Sequence, residues 1–142
     1  MTTIKSYTDI EQSCKLAEIL PLESADKVHH GIHLGIDGKY HLSGDNTEND
    51  VIAIDKEAYN RIFGSEICNQ LPCWSLTALL KVIPKYLKDY NVLRIDIDAN
   101  TFAIWYDKIG CGVNTKLPDI TMEEPIEACY EMIIKLHELN LL

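Results

Sequence analysis

A chain of 142 residues can bury one hydrophobic core, and 46% hydrophobic with 25% charged residues excludes the composition of a disordered protein. The net charge of -9 argues against a nucleic-acid partner, because no segment concentrates Lys and Arg to bind phosphates. The N-terminus lacks the apolar core of a signal peptide, and no apolar run is long enough to span a bilayer. We therefore expect a single cytoplasmic domain over residues 1–142 without a membrane partner.

Cysteine usage fits a reducing compartment. The number of cysteines is odd, and no two have the Cys-x-x-Cys spacing of a zinc knuckle or redox motif. The sequence therefore predicts neither a disulfide framework nor a structural zinc. The cysteines are Cys14, Cys68, Cys73, Cys111 and Cys129.

The first predicted element is a helix that begins near Thr8. Thr8 and Glu11 have the spacing of a capping box, in which the hydroxyl and the carboxylate each accept a hydrogen bond from a free backbone N–H. Apolar residues share one face until Pro21 ends the run, so the helix should reach about Leu20.

A β-hairpin is predicted from Val28 to Ser43. It is centred on Asp37-Gly38, a dipeptide typical of a two-residue hairpin turn. The corresponding pairs are Ile36 with Lys39, Leu34 with His41, and His33 with Leu42. In this register Ile32, Leu34 and Ile36 share the inner face.

The middle of the chain predicts a surface loop over Gly44–Asp50, a short strand over Val51–Ile54, and a helix from Asp55 through Phe63 that Gly64 ends. A further helix starts at Leu76, where Ser75 can serve as the N-cap and Trp74 can pack on Leu79 as a hydrophobic staple. Pro84 interrupts that helix.

Two alternating segments, Asn91–Asp98 and Thr101–Asp107, predict a second hairpin. The register that makes one face wholly apolar pairs Leu93 with Tyr106, Ile95 with Ile104, and Ile97 with Phe102. A loop over Cys111–Asp119 and a last helix from Pro125 to near Asn140 complete the chain. The expected fold class is α+β, with two β-hairpins or a small mainly antiparallel sheet packed against about three to four helices.

Four segments resemble a known group of proteins. They are Glu11 to Pro21, Leu71-Pro72-Cys73-Trp74-Ser75-Leu76 running into Leu79-Leu80, Ile104-Trp105-Tyr106, and Pro125 to Ile133. There the chain resembles small uncharacterised proteins of phages and mobile genetic elements of gut bacteria, whereas Val28 to Phe63 has no counterpart. The resemblance implies a mobile-element context and transfers no catalytic residue or cofactor.

Histidines form the densest group of possible metal ligands. His29, His30 and His33 lie close in sequence, with His41 nearby, but the predicted register puts His33 and His41 on opposite faces. Solvent-facing strand histidines are therefore favoured over a metal site.

Other candidate chemical groups also favour a structural interpretation. Cys73 precedes a helix N-terminus, as a nucleophile would, but it lies in an apolar segment, which favours a buried thiol. Asp96, Asp98 and Asp107 are carboxylates without a third local ligand, which favours exposed strand residues.

The second face of the later hairpin brings Arg94 and Trp105 together. A cation–π pair there could be covered by the protein itself or could form a binding surface. These two residues are the candidate binding site; no catalytic or metal-binding residue is predicted.

The leading functional hypothesis is a non-enzymatic accessory or interaction protein of a phage or mobile element that binds a host protein. Its basis is the resemblance and the lack of a recognisable catalytic motif. The alternative is binding or sequestration of a small, nucleotide-type ligand, since Arg94 and Trp105 suit a phosphate and a base. A cysteine- or metal-dependent enzyme is the weakest hypothesis.

Overall fold

A computed structural model describes residues 5–42, 50–53, 71–110, 112–113 and 116–142. These residues have an α+β fold with helices and antiparallel strands, which confirms the predicted class. Internal contacts divide the chain into an N-terminal unit, Tyr7–Ala78, and a C-terminal unit, Leu79–Leu142 together with Met1–Ser6. The single domain stays a prediction. None of the helices in the described ranges is long and apolar enough to cross a membrane.

The described residues of the N-terminal unit form helix α1 and five strands. The elements are α1 (Ile10–Ile19), a 3-10 turn (Leu22–Ser24), β1 (Lys27–His30), β2 (Ile32–Leu34), β3 (Tyr40–Leu42), β4 (Asp50–Ala53) and β5 (Leu71–Cys73). Strand β1 lies between β4 and β5 in one antiparallel sheet, and β2 pairs with β3 in another. The buried apolar side chains of this unit are Leu16, Leu20, Ala25, Val28, Ile32, Leu71, Cys73, Trp74 and Ala78.

Helix α1 begins one residue later than a cap at Thr8 would allow. Asp9 is the N-cap: its carboxylate accepts from Gln12 N–H at 2.8 Å, and Gln12 Oε1 accepts from Asp9 N–H at 3.1 Å. The predicted capping box of Thr8 and Glu11 was therefore wrong by one residue. The reason is that the buried Thr8 hydroxyl accepts a hydrogen bond from the distant Trp74 N–H, whereas the exposed Asp9 carboxylate caps the helix. The predicted end near Leu20 is confirmed.

The first hairpin also differs by one residue. Ile32 pairs with Leu42, His33 with His41, and Leu34 with Tyr40. Gly38 has a positive φ of 77° but Asp37 does not, so the turn is a three-residue loop rather than the two-residue turn that needs both. Gly31, at φ 77°, separates β1 from β2. The expected inner face was wrong for Leu34 and Ile36, which are 54% and 112% exposed; Ile32 is buried.

The segments predicted as a loop over Gly44–Asp50 and a helix over Asp55–Phe63 lie outside the described residues, except for Asp50, which belongs to β4. The predicted strand from Val51 is confirmed in its described part by β4. Cys68 and Cys111 also lie outside the described ranges.

Helix α2 (Leu76–Val82) begins where it was predicted. The Ser75 hydroxyl accepts from Ala78 N–H at 3.3 Å, as expected of an N-cap, and Ser75 also hydrogen-bonds the Asp26 carboxylate. This second partner holds the helix start against the segment that leads into β1.

The C-terminal unit is built on one antiparallel sheet. Its elements are β6 (Tyr86–Leu87), β7 (Asn91–Ile97), β8 (Phe102–Lys108), β9 (Gly112–Val113), β10 (Asp119–Met122) and helix α3 (Pro125–Glu138). The order is β10-β8-β7-β6, and β9 also pairs with β8. The region Cys111–Asp119, predicted as a loop, thus contains β9 and the first residue of β10. Both strands form because they pair with β8.

The register of the second hairpin is confirmed. Leu93 lies opposite Tyr106, Ile95 opposite Ile104, and Ile97 opposite Phe102. Helix α3 contacts β8 and β10, starts at Pro125 as predicted, and ends before Asn140, whose positive φ of 57° suits a helix terminus. The buried apolar side chains of this unit are Leu79, Ile83, Phe102, Ile104, Tyr106, Ile126, Ala128, Cys129, Met132, Ile133 and Leu136.

Candidate functional site

The C-terminal sheet has one buried and one outer face. Along β8, Phe102, Ile104 and Tyr106 are at most 3% exposed, whereas Ala103, Trp105 and Asp107 point to the other side and are partly exposed. Because side chains alternate along a strand, the β7 residues opposite this second set share their side. We call this side the outer face; it carries Val92, Arg94, Asp96, Ala103, Trp105, Asp107, Asp119 and Thr121.

Arg94 and Trp105 are direct cross-strand neighbours on the outer face, as predicted. Arg94 is exposed, and its Nε lies 3.7 Å from Asp107 Oδ2. On the other side of β8, Asp119 of β10 also pairs with Trp105, so Trp105 lies between the Arg94 cation and the Asp119 anion. The Arg94 head group is thus engaged in an ion pair that contributes about 0–1 kcal/mol at such a surface. A binding role for the two residues stays a prediction.

Trp105 is partly buried. Among the described residues, its indole nitrogen is the one buried side-chain nitrogen or oxygen that makes no hydrogen bond. The Nε1 atom is inaccessible to solvent and has no hydrogen-bond partner. A desolvated donor of this kind costs about 1–3 kcal/mol. The outer face therefore carries a local energetic cost at its centre.

Within the described ranges, the edge of β7 that faces away from β8 has no partner strand over half its length. Strand β6 pairs only with Asn91 and Val92, and the last bond on this side runs from Leu93 N–H to Lys85 O at 2.9 Å. On the side of β7 that faces β8, Asp98 N–H donates to Thr101 O at 2.9 Å. Since backbone groups alternate in direction, Ile95 and Ile97 direct their N–H and C=O groups away from β8.

Side-chain exposure agrees with an open edge. Ile95 is 42% exposed and Ile97 is 74% exposed, although their partners Ile104 and Phe102 are buried. We call the segment Arg94–Ile97 the β7 edge. Its hydrophobic pattern was visible in the sequence. The sequence signal for an edge is that the segment between Pro84 and Asn91 is too short to hold a strand that could pair with all of β7.

The first hairpin brings two histidines together that the predicted register had separated. His33 and His41 are cross-strand partners with ring centroids 5.8 Å apart. His41 Nε2 donates to the Asp37 carboxylate at 3.0 Å, and this hydrogen bond lowers the pKa of Asp37. The prediction of opposite faces was wrong because the turn holds three residues. Within the described ranges, no three His, Cys, Asp or Glu side chains are grouped to hold a metal ion.

His29 is buried, which corrects the expectation of solvent-facing strand histidines at that position; His30 is exposed. The ring nitrogen Nε2 of His29 donates to Thr8 O at 2.9 Å, and Tyr7 contacts the ring edge-on at 5.9 Å. Burial lowers the pKa of His29 more than the Thr8 bond raises it. The folded state therefore favours the neutral form of this imidazole.

We predict that His29 makes folding stability depend on pH. The unfolded chain binds a proton at this ring below about pH 6.5, whereas the folded chain resists it, so stability is present above that pH and falls as the pH drops. Denaturant titrations between pH 7 and 5 should give a smaller loss of unfolding free energy for His29→Gln than for the wild type. His30→Gln is the matched control and should follow the wild type; equal slopes for all three proteins would contradict the prediction.

The buried thiols are chemically quiet. Burial raises the pKa of Cys73 to about 12, and it raises the pKa of Cys129 to about 12 as well. Both are therefore protonated at neutral pH, when a nucleophile would need the thiolate. Their fully buried positions fit the predicted structural role of Cys73. Asp96 is an exposed strand carboxylate, and Asp107 is engaged by Arg94.

Compared with protein families, with curated proteins and with solved structures, the chain has no significant match.

Proposed function

We propose that this chain is a non-enzymatic accessory protein of a phage or mobile element that acts by binding a host protein. The mobile-element context comes from the sequence resemblance. The observation that carries the binding role is the β7 edge, where the exposed Ile95 and Ile97 lie beside backbone groups that pair with no strand in the described part of the chain. Exposed hydrophobic edges are avoided in proteins that do not use them, because they pair with other chains.

The small-ligand alternative is the weaker proposal. Arg94 and Trp105 would have to hold a phosphate and a base, but Asp107 already engages Arg94, and Asp96 and Asp119 lie on the same face. These carboxylates repel an anionic ligand. Thermal-shift measurements with nucleotides test this alternative, because a ligand that binds only the folded state raises the melting temperature.

The protein-binding proposal predicts that a charge at the β7 edge abolishes capture of the partner. The purified chain is immobilised and exposed to host lysate, and the captured protein is quantified for the wild type and for Ile97→Lys. We expect at least about a tenfold lower recovery for Ile97→Lys, equal to about 1.4 kcal/mol or more of lost binding energy.

The matched control is Ile109→Lys, because Ile109 is 61% exposed, lies in the same unit, and is outside the β7 edge. It should capture as much as the wild type. Equal recovery from all three proteins, or no recovery at all, would contradict the proposal.

A further inference from the structure

We propose that the β7 edge binds its partner by β-strand addition, and that the partner supplies an extended segment in which apolar side chains alternate with basic ones. This inference rests on the proposed function and specifies its binding mode. It follows from three features of the edge: its free backbone groups, its two side-chain rows, and its inability to pair with a second copy of itself.

The free backbone groups define where a strand can add. The N–H and C=O groups of Ile95 and Ile97 point away from β8 in the spacing of an antiparallel ladder, and no strand of the described residues pairs with them. At Leu93 the Lys85 carbonyl already occupies this side of the strand. An incoming strand is therefore confined to the segment from Arg94 onward, and its main chain gains bonds to two residues.

The two side-chain rows define what the incoming strand carries. Residues beside Ile95 and Ile97 lie on the buried side of the sheet and cover those exposed isoleucines. Residues beside Arg94 and Asp96 lie on the outer face. This row carries Arg94, whose Nε lies 3.7 Å from Asp107 Oδ2, together with the carboxylates Asp96 and, just beyond the strand, Asp98, so its net charge is negative. Lysine or arginine is the complementary side chain there.

A second copy of the chain is a poor occupant of the same edge. Two such edges can pair only through Ile95 and Ile97, which leaves three antiparallel registers. Pairing Ile95 with Ile95 places Ile97 of the second copy beside Leu93, where Lys85 already lies. Pairing Ile95 with Ile97 places Asp96 opposite Asp96, and pairing Ile97 with Ile97 places Asp96 opposite Asp98. Like charges directly opposite destabilise a ladder, so the carboxylates act against self-association and select a basic strand.

The test uses a synthetic peptide of about six residues, the usual length of a strand, that alternates lysine and valine. A control peptide alternates glutamate and valine. Amide hydrogen exchange of the full chain is followed by NMR. We expect the lysine peptide to slow exchange at Ile95 and Ile97 at least about tenfold at saturation, while the glutamate peptide does not. Protection elsewhere, or equal effects of both peptides, would overturn the proposal.

Three variants separate backbone pairing from non-specific hydrophobic binding. Ile97→Pro removes an N–H that faces the free edge, so it leaves the ladder with β8 intact and should abolish protection at Ile95. Ile97→Val retains the N–H and should bind like the wild type. Asp96→Lys, at an exposed position, reverses the selecting charge and should reduce the affinity for the lysine peptide at least about tenfold, which also covers the case in which Ile97→Pro fails to fold.

The same variants distinguish the two proposals. If the wild type and Ile97→Pro capture the host protein equally while Ile97→Lys does not, the chain binds through this surface but not by strand addition. If capture is insensitive to Ile97→Lys, the proposed function itself fails.

Discussion

Replacing Trp74 with alanine is expected to lower the free energy of unfolding by about 3–5 kcal/mol, the range found for deleting a buried aromatic side chain. Trp74 is fully buried, and its Nε1 donates to Ser24 Oγ at 2.9 Å. The substitution therefore leaves a cavity and removes the hydrogen bond that ties the turn after α1 to the end of β5. Chemical denaturation followed by circular dichroism measures the loss.

Two variants control this experiment. Trp74→Phe keeps most of the apolar volume but loses the indole N–H, so it should cost less than the alanine variant. Leu22→Ala, at a 37% exposed position in the same unit, should cost much less. A Trp74→Ala midpoint as high as that of Leu22→Ala would show that Trp74 does not support the core.

Replacing Thr8 with valine is expected to cost about 2 kcal/mol, because one buried backbone donor loses its acceptor. Thr8 Oγ1 accepts from Trp74 N–H at 3.1 Å and lies 2.8 Å from Ser13 Oγ. Valine has nearly the same shape, so the change removes the hydroxyl and adds no cavity. The same denaturation experiment gives the difference in unfolding free energy.

The matched variant Thr8→Ser keeps the hydroxyl and should retain most of the stability, while Thr77→Val tests the same substitution at an exposed position. A double-mutant cycle with Ser13→Ala isolates the coupling between the two hydroxyls. If Thr8→Val is as stable as Thr8→Ser, the hydroxyl does not contribute as inferred.

The sequence by itself determined the elements whose signals are local and mutually consistent. The second hairpin is the clearest example, because only one register of Asn91–Asp98 against Thr101–Asp107 makes a face wholly apolar, and the structure has that register. The start of α2 at Leu76 and of α3 at Pro125 also follow from nearby capping residues. The placement of Arg94 beside Trp105 followed from the same register.

Only the tertiary structure decided features that depend on partners distant in sequence. Thr8 has the sequence of a cap, but its hydroxyl is used by Trp74, 66 residues away, so Asp9 caps α1 instead. Asp37-Gly38 is compatible with a two-residue and with a three-residue turn. The two turns shift the strand pairing by one residue, and this shift decides whether His33 lies opposite His41. Ile95 and Ile104 are equally apolar in the sequence, yet one lies on an open edge and the other beneath α3, because burial depends on which strands pair and where they stop.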